Sequence, residues 1–94
     1  MTFVWDERKA RDNQRKHGVS FDTAARVFED AHAVSYAEAV VNGEQRWHTI
    51  GLAGGIAVLL VVHTFEEQDG EEEIRIISAR KASRGERALC DSCQ

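Results

Sequence analysis

The chain has 94 residues, a formal net charge of −4, 43 % apolar and 30 % charged residues. That length suits one small domain, and the balance of apolar and charged residues excludes a disordered chain. The longest apolar run, Ile56–Val62, is far short of the roughly 20 residues a bilayer span requires. No basic-then-apolar leader opens the sequence, so a reduced, cytoplasmic protein without membrane contact is expected.

In chain order, "TFVW" reads as a short edge strand. Asp6 is an N-cap for a polar helix over 7–17, and Gly18 ends it, since glycine accepts the left-handed backbone past a helix end. Ser20 caps a second helix whose Phe21, Ala24, Ala25 and Phe28 form one apolar stripe fading near Asp30. "AVSYAEAVV" alternates only in part, and Asn42-Gly43 is a hairpin turn. Strands follow at 45–52, 56–65 and 73–80, separated by Gly54-Gly55 and Asp69-Gly70. They form a three-stranded antiparallel meander whose middle strand is apolar on both faces. Ser83 and Glu86 make a capping box for a short last helix from residue 84. A single domain over 1–94 is expected, with a frayed tail at 90–94.

The charge is segregated. Residues 8–17 hold five cations against Asp12, and residues 75–87 hold Arg75, Arg80, Lys81, Arg84 and Arg87 against Glu86. Much of the compensating acid lies in Glu66, Glu67, Asp69 and Glu71–Glu73. A basic face for an anionic partner and a solvated acidic face are implied. Nine of the twelve cations are arginine, whose planar fork matches a phosphate. Arginines at strand ends are also commonly solvated or paired with carboxylates, and this chain has sixteen acids to offer. Strict alternation along 74–80 sets Ile76, Ser78 and Arg80 on one face, with Arg75, Ile77 and Ala79 on the other.

Lys9, Asn13 and His17 step by four along the first helix, with Lys16 beside them. Such a stripe can simply satisfy the helix C-terminus. Facing the arginines, it could instead move protons: RNA cleavage without metal needs a base for the 2′-hydroxyl, an acid for the 5′-oxygen, and cations on the phosphate. His48 and His63 sit on strands, where an imidazole bonded to backbone is the commoner case. His32 falls in a loop. No histidine pair has metal-ligand spacing. Cys90 and Cys93 have Cys-x-x-Cys spacing without a second pair or a βαβ context, so neither zinc nor a redox role is expected. Trp5 and Trp47 suit core packing, and "GLAGG" lacks the lysine and helix of a phosphate loop.

"WDERKARDNQRKHGVSFDTAARVFED", "RWHTIG", "LLVVHTF" and "RIISARKASRGER", in that order, resemble the BrnT family of bacterial toxins over residues 4–89. The resemblance implies an α+β, RelE-like domain: two N-terminal helices, an antiparallel sheet of three or four strands and a short C-terminal helix. It implies a metal-independent endoribonuclease that arrests translation and has no cofactor. It also implies a ribbon-helix-helix antitoxin of BrnA type, through which alone the complex would bind operator DNA, as a homodimer or a heterotetramer with the antitoxin. Its polar motif positions fall on Lys9, Asn13, Lys16, His17, Arg46, Thr64, Arg75, Ser78, Arg80 and Arg87. Combined with the residue reading, His17 and Lys16 are expected to move protons and Arg46 and Arg80 to hold the scissile phosphate. Lys9, Asn13, Arg75, Lys81, Arg84 and Arg87 would contact RNA. The rival expectation is a non-catalytic module that binds RNA or protein through the same arginines.

Overall fold

The computed structural model describes residues 1–90. Helix α1 spans Glu7–His17. The Asp6 carboxylate accepts the Lys9 N–H at 3.0 Å, and Gly18, at φ 69°, donates its N–H to Gln14. The first helix therefore has the expected bounds. Helix α2 is shorter than its apolar stripe suggests: it covers only Phe21–Ala25 and tightens into a 3₁₀ turn over Arg26–Glu29.

Asp30 and Gly51 explain the shortening. Asp30 uses one carboxylate oxygen to accept the His32 N–H at 3.0 Å and the other to accept the Leu52 N–H at 2.9 Å, which pins the chain to the sheet. A Cβ on Gly51 would stand 2.9 Å from both Val27 and Ala33. Only glycine allows this approach.

The strands are β1 (Thr2–Val4), β2 (Val34–Val41), β3 (Glu44–Ala53), β4 (Ala57–Gln68) and β5 (Glu71–Lys81). They form one sheet in the order β1-β5-β4-β3-β2. The segment 34–41 is thus a true strand. The antiparallel sheet of three or four strands expected for a RelE-like domain is instead a mixed sheet of five, because β1 pairs parallel to β5. The expected β3-β4-β5 meander lies at its centre. Asn42-Gly43 and Asp69-Gly70 close hairpins with both residues at positive φ, which matches the twist of the strands they join.

Beyond the end of β1, the edge of β5 is closed by a side chain. The Asn13 amide donates to the carbonyls of Ala79 at 2.8 Å and Val19 at 2.9 Å, and its oxygen accepts the Ala79 N–H at 3.1 Å. Asn13 does for one residue what a sixth strand would do, and it is buried.

The helices cover one face of the sheet. Its core holds Val19, Phe21, Ala24 and Val27 against Ala53, Leu59, Val61, Ile74, Ile76 and Ala79. His63 belongs to this side, with its ring edge-on to Phe28 at 4.9 Å. Ser35 and Thr49 hydroxyls stand 2.7 Å apart, and Thr49 Oγ1 lies 2.7 Å from His63 Nε2. The opposite face buries Ile50, Leu60 and Cys90, with Val34, Tyr36, Val58, Val62 and Ala82 around them. Over this face lies α3 (Arg84–Arg87), capped by Ser83 and Glu86 as expected. Cys90 is fully buried and disulfide-bonded. The rest of the tail expected to fray, with Cys93, lies outside the described residues. Among the described residues, no helix is long and apolar enough to cross a membrane.

Replacing Asn13 by alanine should cost about 3 kcal/mol in urea denaturation, because Ala79 is left with an unmet buried donor and acceptor. Burial drives the His63 imidazole below its ordinary pKa, against the pull of the Thr64 carbonyl. The folded chain thus refuses a proton that the unfolded chain accepts. Stability should fall as pH drops below about 6.5, and His63→Phe should flatten that slope between pH 7.5 and 5.5.

Candidate functional site

The face away from the main helices gathers the polar residues of four strands, β2 to β5. Register pairs Tyr36 with His48, His48 with Val62, and Val62 with Ser78. One row along, Val34 meets Ile50, Ile50 meets Leu60, and Leu60 meets Arg80. On the other side of the histidine row Thr64 pairs with Arg75. Arg46, two residues before His48 on β3, points to the same side of the sheet.

Arg75 joins this face through an irregularity. Val62 pairs with Ser78, but His63 pairs with Ile76, so Ile77 is an extra residue on β5. Strict alternation would separate Arg75 from Ser78 and Arg80. The bulge brings all three together and sends Ile76 into the helix-side core, as one inserted residue must. The alternation expected from the sequence is corrected here, because no side-chain pattern in "RIISAR" marks the extra residue.

Arg80 is held in place. Its two terminal nitrogens donate to the two Glu86 oxygens at 2.8 Å each, and Nη1 reaches the Lys81 carbonyl at 3.3 Å. Glu86 also accepts the Ser83 N–H at 2.8 Å, so one carboxylate aims the guanidinium and caps α3. The Arg80 hydrogen bonds, before any other cause, draw the Glu86 carboxyl down to about 2. The Arg80 side chain keeps 42 % of its surface open, with further N–H groups for a second anion. Arg46 is the opposite case: its Nε is buried without a hydrogen-bond partner.

Beside the arginines, His48 Nδ1 lies 3.2 Å from the Tyr36 hydroxyl and 4.0 Å from a Glu38 oxygen. The two rings meet edge-on at 5.3 Å. Burial raises the Tyr36 phenol above its ordinary pKa, Glu86 and Glu38 add to the rise, and Arg80 opposes it.

The remaining expected residues divide. Arg84 and Arg87 are exposed on α3. Lys81 pairs with Leu59, whose side chain lies in the helix-side core, so Lys81 does not share the Arg80 face. Lys9, Lys16 and His17 are exposed on α1, whose Ala10 packs into the helix-side core. No hydrogen bond or ion pair joins His17 to Arg46, Arg75 or Arg80 among the described residues. Asn13 is corrected outright: buried, with its amide spent on backbone, it has nothing left for RNA. His48, expected from the sequence to be bonded to backbone, instead contacts Tyr36 on this face. The signal for His48 was its i, i+2 spacing from Arg46 on a strand. Tyr36 lay in the segment whose alternation was partial.

A concavity of about 310 Å³ bounded by Trp5, Arg11, Gln14 and Phe21 lies on the helix side, away from these groups. No cluster of His, Cys, Asp or Glu suited to a metal ion occurs among the described residues.

The sequence model of the family described as "Ribonuclease toxin, BrnT, of type II toxin-antitoxin system" matches residues 5–86. The chain belongs to this family. It is a ribonuclease toxin of a type II toxin–antitoxin system, with RNA as target and an antitoxin as partner. It is also similar to the crystal structure of the Brucella abortus ribonuclease toxin BrnT, with TM-score 0.66 and 27 % identity, covering 89 % of this chain and 99 % of that one. No curated protein sequence matches it.

The Glu86 carboxyl should titrate near 2 by NMR and return toward the ordinary 4.5 in Arg80→Ala. Because folding depresses this pKa, the pair's contribution to stability is full above about pH 4.5 and disappears as pH falls toward 2. Both side chains are partly exposed, so Glu86→Gln should cost only about 1 kcal/mol.

Proposed function

We propose that the toxin cuts RNA without a metal ion, with Arg46, Arg75 and Arg80 gripping the scissile phosphodiester. The observation that carries this reading is three arginines from β3 and β5 on one face, one of them with a buried donor unmet. Negative charge grows on the phosphoryl oxygens as the 2′-oxygen attacks. Guanidinium groups aimed beforehand stabilise that charge more in the transition state than in the ground state. Cations can thus supply the charge that a metal supplies in other nucleases. Arg84 and Arg87 on α3 extend the cationic track along the strand.

Arg80 accepts a phosphate alongside Glu86 rather than instead of it, because two carboxylate bonds leave other N–H groups open. Glu86 then acts as a positioning residue, fixing the plane of the fork. A BrnA-type ribbon-helix-helix antitoxin would neutralise the toxin, and operator DNA would be bound through that partner.

Incubating purified toxin with total RNA and excess chelator tests the reading. Cutting should persist in chelator, and Arg46→Ala and Arg80→Ala should each slow it by about 10²-fold or more. Loss of cutting that added magnesium restores would overturn metal independence. Full activity in both arginine variants would overturn the phosphate seat.

A further inference from the structure

We infer that His48 and Tyr36 are the proton-transfer pair of this face, His48 taking the 2′-hydroxyl proton and Tyr36 protonating the departing 5′-oxygen. The inference rests on the ribonuclease reading above and deepens it, since cleavage needs a base and an acid beside the arginines. Both residues lie on the Arg80 side of the sheet, whereas His17 rides on α1.

The contact between them assigns the nitrogens. His48 Nδ1 faces the Tyr36 hydroxyl at 3.2 Å. A neutral imidazole carries one N–H and one lone pair. With the hydrogen on Nδ1 and donated to Tyr36, the lone pair is on Nε2. No other residue bonds to Nε2 among those described, and the side chain keeps 20 % of its surface open. The charged neighbours are few: Glu38 across the strand pair, Arg46 on the same strand, and Arg80 with Glu86 beyond Tyr36, while Val62 is the neighbour on β4. The phenol is sheltered and keeps its proton near neutrality, as an acid must before it acts.

The step balances without an outside reactant. The 2′-hydroxyl proton moves to Nε2, the 2′-oxygen bonds to phosphorus, and the bond from phosphorus to the 5′-oxygen breaks. The 5′-oxygen takes the Tyr36 proton, and the Nδ1 proton crosses the 3.2 Å contact to the phenolate. The products are a 2′,3′-cyclic phosphate and a 5′-hydroxyl. His48 ends neutral as the other tautomer, and Tyr36 is restored.

The test uses the purified full chain and a synthetic oligoribonucleotide spanning one of its own cut sites, together with the same oligonucleotide carrying sulfur for the bridging 5′-oxygen. Thiolate leaves without protonation. His48→Gln should slow cutting of both by 10²- to 10⁴-fold while RNA affinity stays within about threefold. Tyr36→Phe should slow the oxygen substrate by about 10²-fold and leave the sulfur substrate near the parent rate. His48→Ala should recover part of its rate in added imidazole, which a merely structural histidine would not do. Parent-like cutting by His48→Gln, equal losses on both substrates in Tyr36→Phe, or a greater loss in His17→Ala than in His48→Gln would each overturn the inference. If the arginine variants fail while His48→Gln and Tyr36→Phe cut normally, only this inference falls. A parent chain that cuts the oligonucleotide only when magnesium is added would bring down the metal-free reading as well.

Discussion

Between Ser78 and Ile76, β5 carries one residue more than β4 does opposite it, and the side-chain order of the strand reverses there. N-terminal to the bulge, Ile74 and Ile76 feed the helix-side core while Arg75 stands on the open face. C-terminal to it, Ala79 lies beneath α1 while Ser78 and Arg80 stand on that same open face. Without the extra residue, either the isoleucines or the arginines would be on the wrong side. An uninterrupted strand could not satisfy a core and a cationic surface with this sequence. The Asn13 amide sits at the same place: it bonds both backbone groups of Ala79, just where the bulge ends and β1 no longer covers the edge. Bulge and plug together hold the segment that presents Arg80.

The arginines on this face are prepared in different ways. Arg80 is aimed by a carboxylate that also caps α3, so the helix and the fork are ordered by one set of hydrogen bonds. Little further rotamer freedom is lost when an anion arrives. Arg46 has no such partner, and its buried Nε bears a desolvation cost. At the far end of the sheet, Glu66 faces Glu73 and Glu67 faces Glu72 across β4 and β5. Like charges in direct register repel each other and destabilise the hairpin. They also repel a polyanion. The acid ladder begins two residues beyond Thr64 and Arg75, so on the proposed reading it would keep an RNA strand on the arginine rows and away from the tip.

Local chemistry was legible in the sequence wherever a residue acts on its own neighbours. Asp6, Gly18, Ser20, Ser83, Asn42-Gly43 and Asp69-Gly70 each do what their side chains or backbone freedom require within a few positions. Pairing between distant segments was not legible in that way. That β1 runs parallel to β5, that 34–41 is a full strand, and that β5 bulges at Ile77 all depend on partners far along the chain. Asn13 shows the limit most clearly. As one of three polar residues spaced by four it reads as part of a wet stripe. Only the open edge of β5 makes it a buried residue. His48 failed for the converse reason: an imidazole on a strand is usually bonded to backbone, and its real partner, Tyr36, belongs to the segment with the weakest strand pattern.

The two basic clusters look alike as strings of charge, and the fold treats them differently. On α1, Arg15 pairs with Asp12 at 3.0 Å with both side chains largely exposed, and the last-turn cations sit where the helix dipole favours them. Such groups are solvated on the free protein and gain little from an additional anion beyond long-range attraction, which salt screens. On the sheet face, a guanidinium with an unmet buried donor and another locked in plane stand next to a polar aromatic pair that can pass a proton. Formal charge does not distinguish the clusters, since each sums to the same value. Preparation does: one guanidinium of the sheet face is locked in plane by a carboxylate and another has a buried donor unmet. The α1 cations, by contrast, are held only by solvent or an exposed acid, which supports the anion site we propose on β3 and β5.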